Sequence, residues 1–163
     1  MLKMNLQYFA ETLPENTITP EINYETEAFI NTEPEGPAPL WASLSALTKN
    51  MAESLNEVLY QANYYKDKGW GSTEVVGAQM TLTVTGDCKP SDPAYEYLTK
   101  KEVMYGFGSA RKTHLKLTRG DQVIIWPVTL ANITKGRGDA SATNALTVTI
   151  HGNGAPTLSV IEG

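Results

Sequence analysis

One cysteine, two histidines and no long apolar run bound what this 163-residue chain can be. Cys88 has no partner for an intrachain disulfide, and a single thiol excludes a cysteine-rich zinc site. Origin or assembly inside a cell is the simplest reading of that scarcity. No uninterrupted apolar stretch approaches the ~18 residues that suggest a membrane span. The opening Met1–Ala10, with Lys3, is too short and broken in its apolar part for a signal-peptide core. The chain is therefore expected to be neither membrane-inserted nor secreted. Charge is also sparse, 19% of residues against 41% hydrophobic, a globular composition on the low-charge side. Lys plus Arg number 13 against 18 Asp plus Glu, and a net charge of -5 argues against a general grip on phosphate backbones.

Catalytic groupings are missing too. His114 and His151 stand apart from any cysteine or carboxylate cluster at metal-ligand spacing. Gly69-Trp70-Gly71-Ser72 and Gly136-Arg137-Gly138-Asp139 are glycine-rich, yet neither follows a strand and opens a helix as a phosphate cradle does. Asp87, Cys88 and Asp92 lie close in sequence, but a thiol with no nearby histidine reads as packing. No acid, base and nucleophile converge, so the expectation is a protein that is not an enzyme and needs no cofactor or metal.

What is present divides the chain in two. Residues 1–39 hold seven of the acids (Glu11, Glu15, Glu21, Glu25, Glu27, Glu33, Glu35), one base (Lys3) and five of the nine prolines (Pro14, Pro20, Pro34, Pro37, Pro39). Each proline removes a backbone donor and discourages helix or central strand, so this segment reads as an extended acidic arm. Its apolar residues come in sets (Leu6, Tyr8, Phe9; Ile18, Ile22, Tyr24; Phe29, Ile30) that a solvated linker would not need, which predicts an arm lying against a surface.

Residues 40–163 read as one domain with a period of two. Met80, Leu82 and Val84 alternate with Thr81, Thr83 and Thr85; Leu115 and Leu117 with Lys116 and Thr118; Leu146, Val148 and Ile150 with Thr147 and Thr149. Val123–Leu130 is apolar on both sides, as in a strand covered on both faces, while Pro127 demands an edge or a bulge. Two further strands are predicted over Leu40–Leu47 and Val58–Tyr65. A helix over Lys49–Leu59 is an alternative, since Met51, Leu55 and Leu59 are spaced by four. Ser91-Asp92-Pro93 offers a cap and a first-turn proline for one helix through Lys101, with Tyr95, Leu98 and Glu102-Val103 toward the sheet. Several short strands with glycine-rich turns between them indicate a mainly β chain, a β-sandwich or barrel with one flanking α-helix. Trp41, Trp70 and Trp126 could stack on sugars or single-stranded nucleic acid, but Trp126 sits in an apolar run that reads as core or interface. Trp70, between two glycines at a loop tip, is costly to leave in water and is expected to plug into a partner.

Taken together, the pattern resembles the phage tail tube proteins, the major tail proteins of long-tailed phages. The residues that carry it are the strand from Ala38 to Leu47, the hairpin around Tyr60 to Val76, the strand from Gly77 ending in Gly86-Asp87, and the Asp92-Pro93-Ala94-Tyr95 helix start. The Gly120-Asp121-Gln122 turn, Ile133 to Ala140 and Thr147 to Pro156 continue it, and Met4-Asn5-Leu6-Gln7-Tyr8-Phe9-Ala10 is similar to the start of structural proteins from phages of low-GC Gram-positive hosts. The resemblance implies a tail-tube β-sandwich whose hexameric rings stack into a tube that carries DNA to the host without binding it specifically. It implies a homohexamer in the virion tail, assembled in the host cytoplasm, with tape measure, tail terminator and distal tail proteins as partners. It also assigns the loop bearing Tyr64, Tyr65, Lys68 and Trp70 to subunit or ring contacts. The arm residues Leu6, Tyr8, Phe9, Ile18 and Ile22 are expected to dock on a neighbour. The alternatives are a tail terminator or head-tail joining ring protein, and a carbohydrate-binding β-sandwich using Trp41 or Trp70.

Overall fold

Alternation of aliphatic and hydroxyl side chains favours sheet, because a period of two places every second residue on one face. The computed structural model describes residues 22–160. Their strands are β1 (Thr26–Asn31), β2 (Trp41–Ser43), β3 (Thr48–Ser54), β4 (Val58–Asn63), β5 (Gly71–Gly77), β6 (Thr81–Asp87), β7 (Lys112–Arg119), β8 (Gln122–Lys135), β9 (Ala145–Gly152) and β10 (Thr157–Val160). Helices α1 (Pro93–Thr99) and α2 (Lys101–Met104) lie between β6 and β7. The protein is mainly β.

Eight strands form one antiparallel sheet in the order β2-β1-β7-β8-β9-β6-β3, with β10 beside β8. The two ends of that order, β2 and β3, are joined by residues 44–47 alone, a link spanning at most ~19 Å. The sheet must therefore curl until its edges approach. Backbone bonds fix the closure: Leu44 N donates to Ala28 O at 2.8 Å, and Asp87 N donates to Leu47 O at 2.9 Å. The same turn is thus tied to β1 and to the end of β6. Strand β8 serves both sides of the curl, pairing with β7 over Gln122–Thr129 and with β9 over Val128–Lys135. A bulge between Ala131 and Thr134, with Asn132 at φ 49, bends it where it changes neighbours and shifts the buried phase from Leu130 to Ile133. Pro127 sits opposite the gap between β9 and β10, where a missing N–H leaves no ladder bond unmade.

The core is the inward half of these alternations, Ile30, Leu82, Val84, Leu115, Leu130, Val148 and Ile150, closed by Leu44 and Leu47 from the turn. Asp92 caps α1 as its sequence suggests, its Oδ1 accepting from Ala94 N and Tyr95 N, both at 3.0 Å. Ala94, Tyr97, Leu98 and Val103 are the buried helical positions. The expected single helix is broken at Lys100, whose ψ of 138° is extended, so α2 is a separate turn.

Three further expectations are adjusted. Residues 26–31, read as part of the arm, form β1 inside the main sheet, with Ala28, Ile30 and Asn31 buried. Only Trp41–Ser43 of the strand predicted over Leu40–Leu47 is extended, since the remainder must turn to close the sheet. The alternative helix over Lys49–Leu59 is replaced by β3 and the start of β4. Spacing by four there was incidental, because β3 is an edge strand with only Met51 packed on the core.

Asn31 holds the β1–β2 connection. Its buried Oδ1 accepts from Glu33 N at 3.1 Å and Leu40 N at 3.0 Å, while its carbonyl accepts from the Thr113 hydroxyl. Asn31→Ala removes the acceptor shared by two backbone donors. It is expected to cost about 2 kcal/mol, read as a lowered urea midpoint at unchanged slope.

Candidate assembly surfaces

The β3–β6 ribbon does not stop at the body of the protein. After the last pair, Ser54 opposite Thr81, the two chains continue as the β4–β5 hairpin, a separate two-stranded sheet. Asn56 makes the junction. It takes φ 45, and its amide donates to Gln79 O at 2.9 Å and to Thr81 Oγ1 at 2.8 Å, while Gln79 N donates to Leu55 O at 2.8 Å. The tip is equally tight: Asp67 N bonds Tyr64 O at 3.0 Å, Trp70 N bonds Asp67 O at 3.0 Å, and Lys68 and Gly69 adopt positive φ.

This hairpin brings together four residues singled out from the sequence, Tyr64, Tyr65, Lys68 and Trp70. Trp70 is 80% exposed and Tyr65 is fully exposed. Lys66 places its ammonium 5.8 Å from the Tyr64 ring, a loose cation–π contact. The strands behind the tip add Val58, Leu59, Tyr60, Val75 and Val76, all exposed. These five were not singled out as site residues. The available signal was adjacent apolar residues, which put hydrophobic side chains on both faces of one strand. Two-stranded hairpins are marginal alone in water, so one with both faces apolar needs a partner to cover it. Of the arm residues, Ile22 is half-exposed at the start of the described chain. Leu6, Tyr8, Phe9 and Ile18 lie outside the described residues.

The outer face of the main sheet is chemically divided. Across β6, β9 and β8, Thr83 pairs with Thr149 and Thr85 with Thr147, while Thr149 faces Ala131 and Thr147 faces Thr134. This wall presents hydroxyls. At its end Lys49 Nζ lies 2.7 Å from Asp87 Oδ1, and that bond, more than the Thr143 hydroxyl, holds the Asp87 carboxyl below the usual range. Farther round, β7 turns Lys112, His114 and Lys116 outward. Lys116 Nζ stands 4.3 Å from the Phe29 ring and 5.0 Å from the Trp41 ring. Trp41 therefore packs against a lysine and does not offer the open ring face of a sugar platform. Among the described residues no group of three or more His, Cys, Asp or Glu side chains could hold a metal ion. Cys88 is partly buried against the core, its Sγ donating to Ala145 O at 3.5 Å.

A chain from the tail of an empty gene transfer agent particle, refined with helical C6 symmetry, superposes with a TM-score of 0.69 at 10% identity, over 86% of this chain and 100% of that one. The likeness is one of fold. A chain of the native gene transfer agent virion matches with a TM-score of 0.65 at 10% identity, again over 86% of this chain and 100% of the other. A chain of the six-fold symmetrised anti-feeding prophage baseplate matches with a TM-score of 0.59 at 9% identity, over 90% of this chain and 99% of the other. Neither a protein-family model nor a curated protein sequence matches the chain.

Proposed function

We propose that this chain is a virion tail structural protein whose hexameric rings stack into the tube that conducts DNA from capsid to host. The observation that carries the reading is the match, over 86% of this chain, to a subunit of a C6-symmetric tail. The uncovered β4–β5 hairpin supports it, because a tube subunit must hold a hydrophobic contact in reserve until it meets its neighbours. The threonine wall supports it as well. A conduit for DNA works only if its lining lets phosphates slide, and a face of paired threonine hydroxyls presents no cation to hold them. The partners on this reading are other copies within and between rings, with the tape measure, terminator and distal tail proteins at the ends of the tube.

The arm is proposed to dock on a neighbouring subunit through Leu6, Tyr8, Phe9, Ile18 and Ile22. Because β1 begins at Thr26, deletion of residues 2–24 leaves every strand of the main sheet in place. The expected product is a folded monomer, with unchanged circular dichroism, that forms no tubes on micrographs. Unaltered tubes would remove the arm from the assembly.

A further inference from the structure

The curled sheet does not close along its whole length. Strand β3 pairs with β6 alone, and the first half of β1 pairs with β7 alone, since β2 joins it only from Phe29 onward. Between these two free strand edges lies a groove of about 500 Å³, walled by Thr26 and Met51, rimmed by Glu53 and floored by the core residues Leu82 and Leu117. The apolar floor extends further. Ile124 pairs with Leu117, and Leu158 on β10 pairs with Ile124 on the same face, yet Leu158 is 70% exposed and Val160, two residues on, is 63% exposed. A hydrophobic floor and two unpaired edges are what an added strand would cover.

The chain itself contains a segment of that chemistry. Residues 4–10 alternate Met4, Leu6 and Tyr8 with Asn5 and Gln7 and hold no proline and no charge, which suits a groove whose lining carries one acid, Glu53, and one base, Lys49, the latter paired with Asp87. The segment ends 11 residues before the described chain begins at Ile22, whose neighbours Asn23 and Tyr24 already line the groove. Pro14 and Pro20 with Glu11, Glu15 and Glu21 favour an extended connector. Residues 1–21 can reach ~70 Å, well beyond a body whose radius of gyration is about 14 Å for this length.

We propose that residues 4–10 of one copy add as a strand along the free edge of β3 in a neighbouring copy, seating Leu6 and Tyr8 on the groove floor. The choice of a neighbour as occupant rests on the assembly reading above. The test uses the full chain carrying Cys88→Ser, Leu6→Cys and Met51→Cys, oxidised after assembly and run on a denaturing gel beside the two single-cysteine controls, with micrographs of the same sample. The expected result is a ladder of covalent multimers that neither control gives beyond the dimer. A fast-migrating, internally linked monomer overturns the proposal by placing the arm on its own body. Stacked rings with no ladder overturn the docking site and leave the tube standing. A ladder from particles without stacked rings does the reverse, and unlinked monomer throughout overturns both. Leu6→Cys paired with Glu53→Cys, two residues along β3 on the same face, guards against a pair that is close but misaligned; absence of a ladder from both pairs is the contradicting outcome.

Discussion

Trp70→Ala is expected to raise the critical concentration for polymerisation roughly 30-fold, on a contact of ~2 kcal/mol for a buried aromatic anchor. The melting temperature of the monomer should not change within error. Both halves follow from placement. Trp70 is 80% exposed at the tip of a hairpin that forms a sheet separate from the main one, so truncating it removes little contact with the rest of the described residues. Its cost can appear only where a second copy covers it. The tip is rigid, pinned by the bonds from Asp67 N and Trp70 N and by Lys68 and Gly69 in the left-handed region, so the ring is presented with little ordering left to do. Sedimentation of a dilution series measures the effect, and an unchanged critical concentration contradicts the anchor role.

Gly86→Val has the opposite signature. Gly86 lies at the end of β6 where the Leu47–Thr48 backbone crosses it to close the sheet, and a Cβ there overlaps the Leu47 carbonyl and approaches Thr48 Cα within 2.9 Å. The obstacle is main chain held by the Asp87 N to Leu47 O bond, so no rotamer relieves it. Valine must push β3 from β6 or break the turn that joins the two edges. The expected loss is about 4 kcal/mol, at the severe end for point substitutions, and a fall in melting temperature of roughly 10 °C for a domain of this size. Calorimetry of the monomer reads it. A variant melting within a degree or two of the parent would show that the closure is not as tight as the backbone positions require.

How far the sequence discloses this protein depends on who covers each strand. Strands β6, β7 and β9 are legible because one face meets the core and the other meets water, which writes a clean alternation of aliphatic residues with Thr83, Lys116 or Thr149. The start of α1 is legible because Asp92-Pro93 satisfies first-turn donors in a way few other dipeptides can. Strand β1 is not, because six residues among prolines and glutamates present only Ala28 and Ile30 inward, and the small Ala28 carries a weak signal. Strand β3 is obscured for the related reason that an edge strand buries little. The hairpin's strands were visible, but their exposure was not: Val58, Leu59 and Tyr60 look like core in the sequence, and only the tertiary structure reveals that no part of the described chain covers them. The groove between β1 and β3 is invisible in sequence, since it is formed by strand edges and not by side-chain types.

Most of the candidate site follows the same logic. Trp70 announced itself by sitting between glycines, where a ring has no local packing to justify it. Trp41 had the same residue type and a different fate, because Lys116 from a strand 75 positions later in the chain covers it. Composition could not distinguish the two.

Assembly of this chain into stacked rings is tested most directly by negative-stain electron microscopy of the concentrated protein. Tubes of stacked rings with a central channel are the predicted result. Discrete rings that never stack at any concentration, or protein that stays monomeric when concentrated, would contradict it.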